Sequence, residues 1–241
     1  VLHSISIEIR RGEFVGLVGP NGSGKTTLLL AMLGVLKPLK GDVLVFGHVP
    51  ACKHNLGMLG WVPQAATQLP SNIHITVREL IRLGTLNRDN FLWRRMTTEI
   101  RERIDRSLEM VGLREMADVD VSRLSGGQLQ RAVIGRALAS ETEFILLDEP
   151  LVGVDRASRN SLLRLLDDLC HNHGKTILMV SHDLAAVTQA THRIVYLDGG
   201  IQYDGPTEEL PDLSELANLR GIEHVHSVSV PSWDEIITEV E

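Results

Sequence analysis

The stretch "GPNGSGKT", residues 19–26, limits what this chain can fold into more than any other. It fits G-x-x-x-x-G-K-[ST], the P-loop. It follows the unbroken apolar run "EFVGLVG" (13–19) and leads into "TTLLLAMLGVL" (26–36), which reads as a helix. An apolar run without alternation is the pattern of a parallel strand buried on both faces, and strand, glycine loop, helix is the context that gives the motif its meaning. Glycines let successive backbone N–H groups turn inward on phosphate oxygens, and the helix start adds about half a positive charge. Gly19, Pro20, Asn21, Gly22, Ser23, Gly24, Lys25, Thr26 and Thr27 are therefore candidate phosphate ligands. Lys25 is expected to reach the β- and γ-phosphates and the Thr26 hydroxyl to hold Mg2+. The alternative is a glycine-rich turn with an exposed lysine.

The rest of the chain supplies the neighbours such a strand needs. "SISIEI" (4–9) alternates with the period of a half-buried strand. "DVLVFG" (42–47) reads as another strand, and "LGWVPQ" (59–64) as a third, halted by Pro63. Between 65 and 140 the pattern turns helical. "TVRELIRLG" (76–84) carries Thr76 and Glu79 at capping-box spacing. "TTEIRERIDRSLEMVG" (97–112) sets Ile100, Ile104, Leu108 and Val111 on one stripe, with Glu99–Arg103 and Glu102–Arg106 as exposed i,i+4 pairs. "FILLDEP" (144–150) and "KTILMVSHD" (175–183) are buried strands flanking the amphipathic helix "ASRNSLLRLLDDLCHNHG" (157–174). "RIVYLDGGIQYDG" (193–205) reads as a hairpin across Gly199–Gly200. The alternation implies an α/β fold with a mostly parallel sheet, an antiparallel β part at the N-terminus and a helical insertion. The expected division is a core of residues 1–64 and 141–210, a helical subdomain at 65–140 and a tail at 211–241.

Composition narrows the function. Hydrophobic residues are 43% and aromatics 4%, so the core is filled by aliphatic side chains. A net charge of −7 argues against a nucleic-acid backbone as partner. The apolar run "LLLAMLGVL" (28–36) is well short of the roughly 20 residues a membrane helix needs. Cys52 and Cys170 lack metal-type spacing and read as reduced thiols.

Two further motifs carry chemistry. "FILLDEP" delivers adjacent carboxylates at a strand end, where Asp148 would hold a metal through water and Glu149 would act as general base. A solvated turn is the alternative. "LSGGQ" (124–128) puts Ser125 and Gln128 at capping-box spacing. That explains Ser125 but not Gly126–Gly127, whose bare backbone at a helix start suits a second anion, one belonging to another molecule's nucleotide.

With the P-loop before it and "LLDEP" after it, "LSGGQ" resembles the signature of ATP-binding-cassette (ABC) ATPases. The resemblance spans roughly residues 1–210. It implies a P-loop NTPase core that binds ATP with Mg2+ and pairs head to tail as a homodimer. Each ATP would lie between one subunit's P-loop and Ser125, Gly126, Gly127 and Gln128 of the other. It gives Gln64 of "VPQ" a contact to Mg2+ and the attacking water, and puts Asp155 of "VGVD" in a loop crossing the interface. His182 of "VSHD" becomes the residue that holds the γ-phosphate and Glu149. The metal set is then Thr26, Gln64 and Asp148. Permease subunits would supply the membrane path and a substrate-binding protein the cargo, with this chain peripheral on the cytoplasmic face. "WVPQ…ITVRELIRLG" and "LVGVDRAS" are similar to the ATPases of bacterial zinc and manganese importers. Cargo of another kind, such as an iron chelate, or a soluble ABC ATPase acting on DNA or ribosomes, are the alternatives. A P-loop kinase leaves "LSGGQ" and His182 without a role.

The family's adenine-stacking aromatic is expected in a segment before Val1. His171 and His173 flank Asn172, and His224 and His226 flank Val225; without Cys or carboxylate clustering in sequence they read as a polar helix end and an exposed strand face. "PSWDEIITEVE" (231–241) reads as a short docked helix, with Ser232 and Glu235 at capping-box spacing.

Overall fold

All five residues of β1 (Phe14–Val18) are buried, because the strand has a neighbour on each side and helices on both faces. In the computed structural model, which describes residues 2–64, 74–86 and 96–211, β1 pairs in parallel with β4 (Thr176–Ser181) and with β5 (Arg193–Asp198). β3 (Phe144–Asp148) runs parallel to β4, and β2 (Leu59–Val62) parallel to β3. β6 (Gly200–Pro206) folds back on β5 across Gly199 as the expected antiparallel hairpin. The sheet order is β2-β3-β4-β1-β5-β6. β3 and β4 are buried along their whole length, like β1; central parallel strands read as continuous apolar runs for this reason. Leu17, Leu146, Val180 and Leu197 of these strands pack with Leu29 of the first helix in one aliphatic core.

That helix, α1 (Lys25–Met32), starts after Gly24 and stops four residues short of the expected end. Gly34, at φ 72°, turns the chain out of the helix. Three further helices pack against one another: α2 (Val77–Arg82), α3 (Thr98–Met110) and α4 (Gly126–Leu138). Ile81, Ile104, Leu108 and Ile134 are fully buried among the described residues. Both predicted capping boxes form, Thr76 with Glu79 at α2 and Ser125 with Gln128 at α4. The described chain is completed by α5 (Arg156–His171), capped by Asp155, and the short α6 (Leu184–Thr188), capped by Asp183.

Three local readings come out differently. Residues 4–9 and 42–47 form no ladder, so the antiparallel pairing of the described chain is that of β5 with β6 rather than of an N-terminal β part. The alternation still does what it encodes: Ile5, Ile7 and Ile9 face the core while their neighbours face solvent. Alternation specifies which face is buried, whereas a ladder needs a partner strand as well. Arg103 turns inward from its helix, donating to Ala139 O at 2.8 Å and lying 3.6 Å from Glu141. The chain divides into two compact units, Val1–Leu210 and Pro211–Glu241. The tail readings at His224, His226 and residues 231–241 lie outside the described residues.

Candidate functional site

Parallel strands deliver all their C-terminal ends to one edge of a sheet, and ligands of such folds bind there. The loop after β1 is residues 19–24, β3 ends at Asp148, β2 leads to Gln64, and β4 leads to His182. These segments close around a cavity of about 490 Å³, a volume within the usual range for a small-molecule site. Asn21, Gly22, Gly24, Lys25, Thr26 and Thr27 form one wall; Gln64, Asp148, Glu149 and His182 form the other.

The loop wall is built for an anion. Gly22 and Gly24 sit at φ 83° and 102°, conformations that cost an L side chain strain, and they curl the backbone under α1. No side chain caps that helix, and no acidic residue occupies its first turn, so its N–H groups face the cavity unopposed. Lys25 is 6% exposed. Its Nζ donates to the carbonyls of Gly19 and Pro20, both at 2.9 Å. Those are acceptors of its own loop. Burial pulls the Lys25 ammonium below its ordinary pKa, while Glu149 and Asp148 push it back up. Ser23 Oγ is buried and has no hydrogen-bond partner among the described residues. A desolvated cation, an orphan hydroxyl and an open helix start together fit phosphate oxygens.

The opposite wall is acidic. Asp148 is 8% exposed. Burial raises its pKa, Glu149 raises it further, and Lys25 lowers it. A buried carboxylate held that uncomfortably beside a second one fits a divalent cation, and Thr26 and Gln64 supply neutral oxygens nearby. Glu149 takes φ 51°, where a residue with a side chain is strained by about 1–3 kcal/mol. Its N–H donates to Val180 O of β4 at 2.9 Å. The turn leaves its Oε2 2.9 Å from His182 Nδ1, with the His182 N–H also donating to Oε2 at 3.4 Å. Glu149 is nearly enclosed while His182 is more than half exposed, so the imidazole reaches from the rim to a carboxylate inside.

Ser125, Gly126, Gly127, Gln128 and Asp155 do not line this cavity. They gather in a second cluster. Ser125 Oγ accepts from Gln128 N at 3.3 Å and Gln128 Oε1 from Ser125 N at 2.9 Å. Asp155 Oδ1 accepts from Ser158 N at 3.0 Å, and this hydrogen bonding holds its carboxyl below the ordinary range. Gly127 is buried, and a Cβ on it would stand 2.5 Å from Ser158 Cβ. Its bareness thus has a cause inside its own chain: the starts of α4 and α5 touch there. Gly126 is exposed at the helix start. Sequence reasoning missed Ser158, although D-x-x-S at a helix start is itself a cap spacing. It also missed Arg159, whose Nε donates to Val154 O at 2.9 Å and which sits 3.4 Å from Asp183.

Among the described residues no helix is long and apolar enough to cross a membrane. Residues 2–152 match the family described as "ABC transporter". The zinc uptake system ATP-binding protein ZurA of Listeria innocua is 36% identical over 208 residues, which cover 86% of this chain and 80% of that protein. The high-affinity zinc uptake system ATP-binding protein ZnuC of Bacillus subtilis is 34% identical over 200 residues, 83% of this chain and 85% of that one. Among solved structures, cbiO1 of Clostridium perfringens, described as part of the ABC transporter complex cbiONQ, superposes with a TM-score of 0.78 at 27% identity, covering 91% of this chain and 88% of that one. The dimeric ATP-binding cassette MJ0796, in a post-hydrolysis state with ADP and Pi, superposes with a TM-score of 0.69 at 30% identity, covering 87% and 91%.

Proposed function

The chain belongs to the ABC transporter family and carries its ATP-binding, ATP-hydrolysing domain, and from that premise we propose that it drives a bacterial importer of a transition-metal ion, zinc or manganese. The observation that carries the reading is the separation of the two clusters. The cavity holds the groups that grip and attack a phosphate chain, while the signature helix start and Asp155 stand outside it. A site missing half its phosphate ligands is completed by the same surface of a second copy, placed head to tail, as supported by the dimeric relative.

In this reading Lys25 leaves its loop carbonyls for the β- and γ-phosphates of ATP, and Ser23 Oγ gains a partner. Thr26, Gln64 and Asp148 hold Mg2+, which supplies charge neutralisation to the phosphate oxygens. Glu149, strained and pinned through Oε2 by His182 Nδ1, keeps Oε1 to orient the attacking water and take its proton. His182 Nε2 is left to face the γ-phosphate. The partner's Gly126 and Ser125 close on the same phosphate, and Asp155 lies at the seam between copies. The helical part at 65–140, rooted at Gln64, passes the change to permease subunits on the cytoplasmic face of the membrane, which receive cargo from a substrate-binding protein. The printed functions of the relatives support the metal cargo.

The test is Glu149→Gln, which keeps the shape and removes the base. With ATP and Mg2+ it is expected to elute as a dimer, and without nucleotide as a monomer. A monomer in both conditions overturns the sandwich. Cargo is read from zinc and manganese accumulation in the source cell with Lys25→Ala in place of the native chain; unchanged accumulation of both overturns the metal reading.

A further inference from the structure

At the other edge of the sheet, away from the cavity, a pair of groups on one helix meets a third from a distant part of the chain. Asp167 and His171 lie one turn apart near the end of α5, and His192 lies just ahead of β5. All three are exposed, and one ligand atom from each falls within 4.8 Å of the others. We infer that Asp167, His171 and His192 form a binding site for a transition-metal dication of the zinc type, separate from the nucleotide site.

The chemistry of the donor set is specific. Two imidazoles and one carboxylate are ligands that suit zinc and its neighbours, whereas magnesium and calcium take oxygen alone. Ligands at i and i+4 share one face of a helix. His171 Nδ1 already stands 3.0 Å from Asp167 Oδ1. Donors bound at ~2.0–2.1 Å on a tetrahedral ion are about 3.4 Å apart, and the three donors here lie within 4.8 Å of one another on exposed side chains. The His171 and His192 rings meet edge to face, with centroids 5.0 Å apart.

The surroundings favour a cation as well. His171 is the last residue of a sixteen-residue helix, where the macrodipole is negative. The cation next in sequence to His192, Arg193, is committed elsewhere: it binds Asp204 through Nε at 2.6 Å and Glu13 at 2.9 Å. Asp168 and His173, the other pair at this helix end, are 3.6 Å apart, and Asp168 also accepts from Asn172 at 2.7 Å. That leaves Asp167 to His171 and His192. An ion here ties the end of α5 to the residue just ahead of β5.

The experiment uses the full chain, stripped with chelator and free of nucleotide, titrated with ZnCl2 by calorimetry, with Co2+ absorption as a second readout. The wild type is expected to take up a saturable equivalent that a large excess of Mg2+ does not displace, and to melt at a higher temperature with Zn2+ bound. His171→Ala and His192→Ala should weaken that uptake by at least about tenfold, since even outer-shell changes at metal sites cost 10–100-fold. His173→Ala, at the same helix end, should leave it unchanged. Both replaced imidazoles are on the surface, so circular dichroism of the variants is expected to match the wild type. Wild-type affinity in His192→Ala, an equal loss in His173→Ala, or no uptake by the wild type overturns the site.

Discussion

Ser158 lies where a side chain on Gly127 would go. A Cβ there would stand 2.5 Å from Ser158 Cβ and 2.8 Å from its Oγ, closer than packed atoms approach. Alanine is the better helix former by ~0.8–1.0 kcal/mol, yet overpacking a buried contact costs about 1–3 kcal/mol. The second effect wins, because the obstacle is a Cβ fixed to the α5 backbone and not a flexible tip. Gly127→Ala is expected to lower stability by about 1–2 kcal/mol in urea melts. Adding Ser158→Gly should restore part of it, with a coupling of about 1 kcal/mol in the double-mutant cycle. Strictly additive losses would show that the two residues do not collide. Any loss of ATPase activity in Gly127→Ala is therefore interpretable only beside the double variant. The Glu149 strain is of another kind: its φ of 51° aims a carboxylate at His182.

At the scale of elements, most α-helix starts among the described residues are held by a side chain, and the exception there is informative. Thr76, Thr97, Ser125, Asp155 and Asp183 each accept a backbone N–H of the helix that follows. α1 has no such cap, which in the proposed function leaves its N–H groups to phosphate. Ser125→Ala removes one cap and is expected to cost about 0.5–2 kcal/mol of stability. Thr76→Ala, at the other capping box, should cost a similar amount. The two should separate in activity: Thr76→Ala retains ATPase turnover per folded molecule, whereas Ser125→Ala loses most of it, since Ser125 also faces the partner's phosphate in the proposed dimer. Equal turnover in both variants would make Ser125 a cap and nothing more.

Across the whole molecule, opposing pKa shifts set the response to acid. Glu79, Asp120 and Asp155 are held below the ordinary carboxylate range by hydrogen bonds from Thr76, Ser122 and Ser158 respectively. A depressed folded pKa contributes stability above the unfolded value that is lost as pH falls through the folded one. Asp148 works the other way. Its folded pKa is raised, chiefly by burial, so the folded chain holds that proton more tightly than the unfolded chain. The stability this contributes is complete below the unfolded pKa and disappears as pH rises through the folded one. Asp148→Asn is therefore expected to raise the melting temperature of the nucleotide-free protein at pH 7 while abolishing Mg2+-dependent ATPase. The advantage should shrink as pH falls toward the ordinary carboxylate range, where folded and unfolded chains both hold the proton. A melting temperature at pH 7 no higher than wild type would mean that Lys25 compensates the buried charge in full.

Local rules made much of this protein legible in its sequence. The loop at 19–26, the buried runs of β1, β3 and β4 and the boxes at Thr76 and Ser125 each depend on residues within a few positions of one another. Spacing and hydrophobic period express those dependences directly. Family resemblance added the roles of Gln64, Asp155 and His182, which no spacing within the chain implies. What tertiary structure alone decided is everything that depends on sheet order and loop closure. Residues 4–9 keep their alternation but form no ladder among the described residues. Glu149 meets His182 because β3 and β4 are neighbours. Gly127 meets Ser158 because α4 and α5 start side by side. His171, read as part of a polar helix end, meets His192 because the end of α5 and the start of β5 lie at the same edge. Contacts of that kind join residues brought together by the crossovers of the fold, and no local pattern in the chain records them.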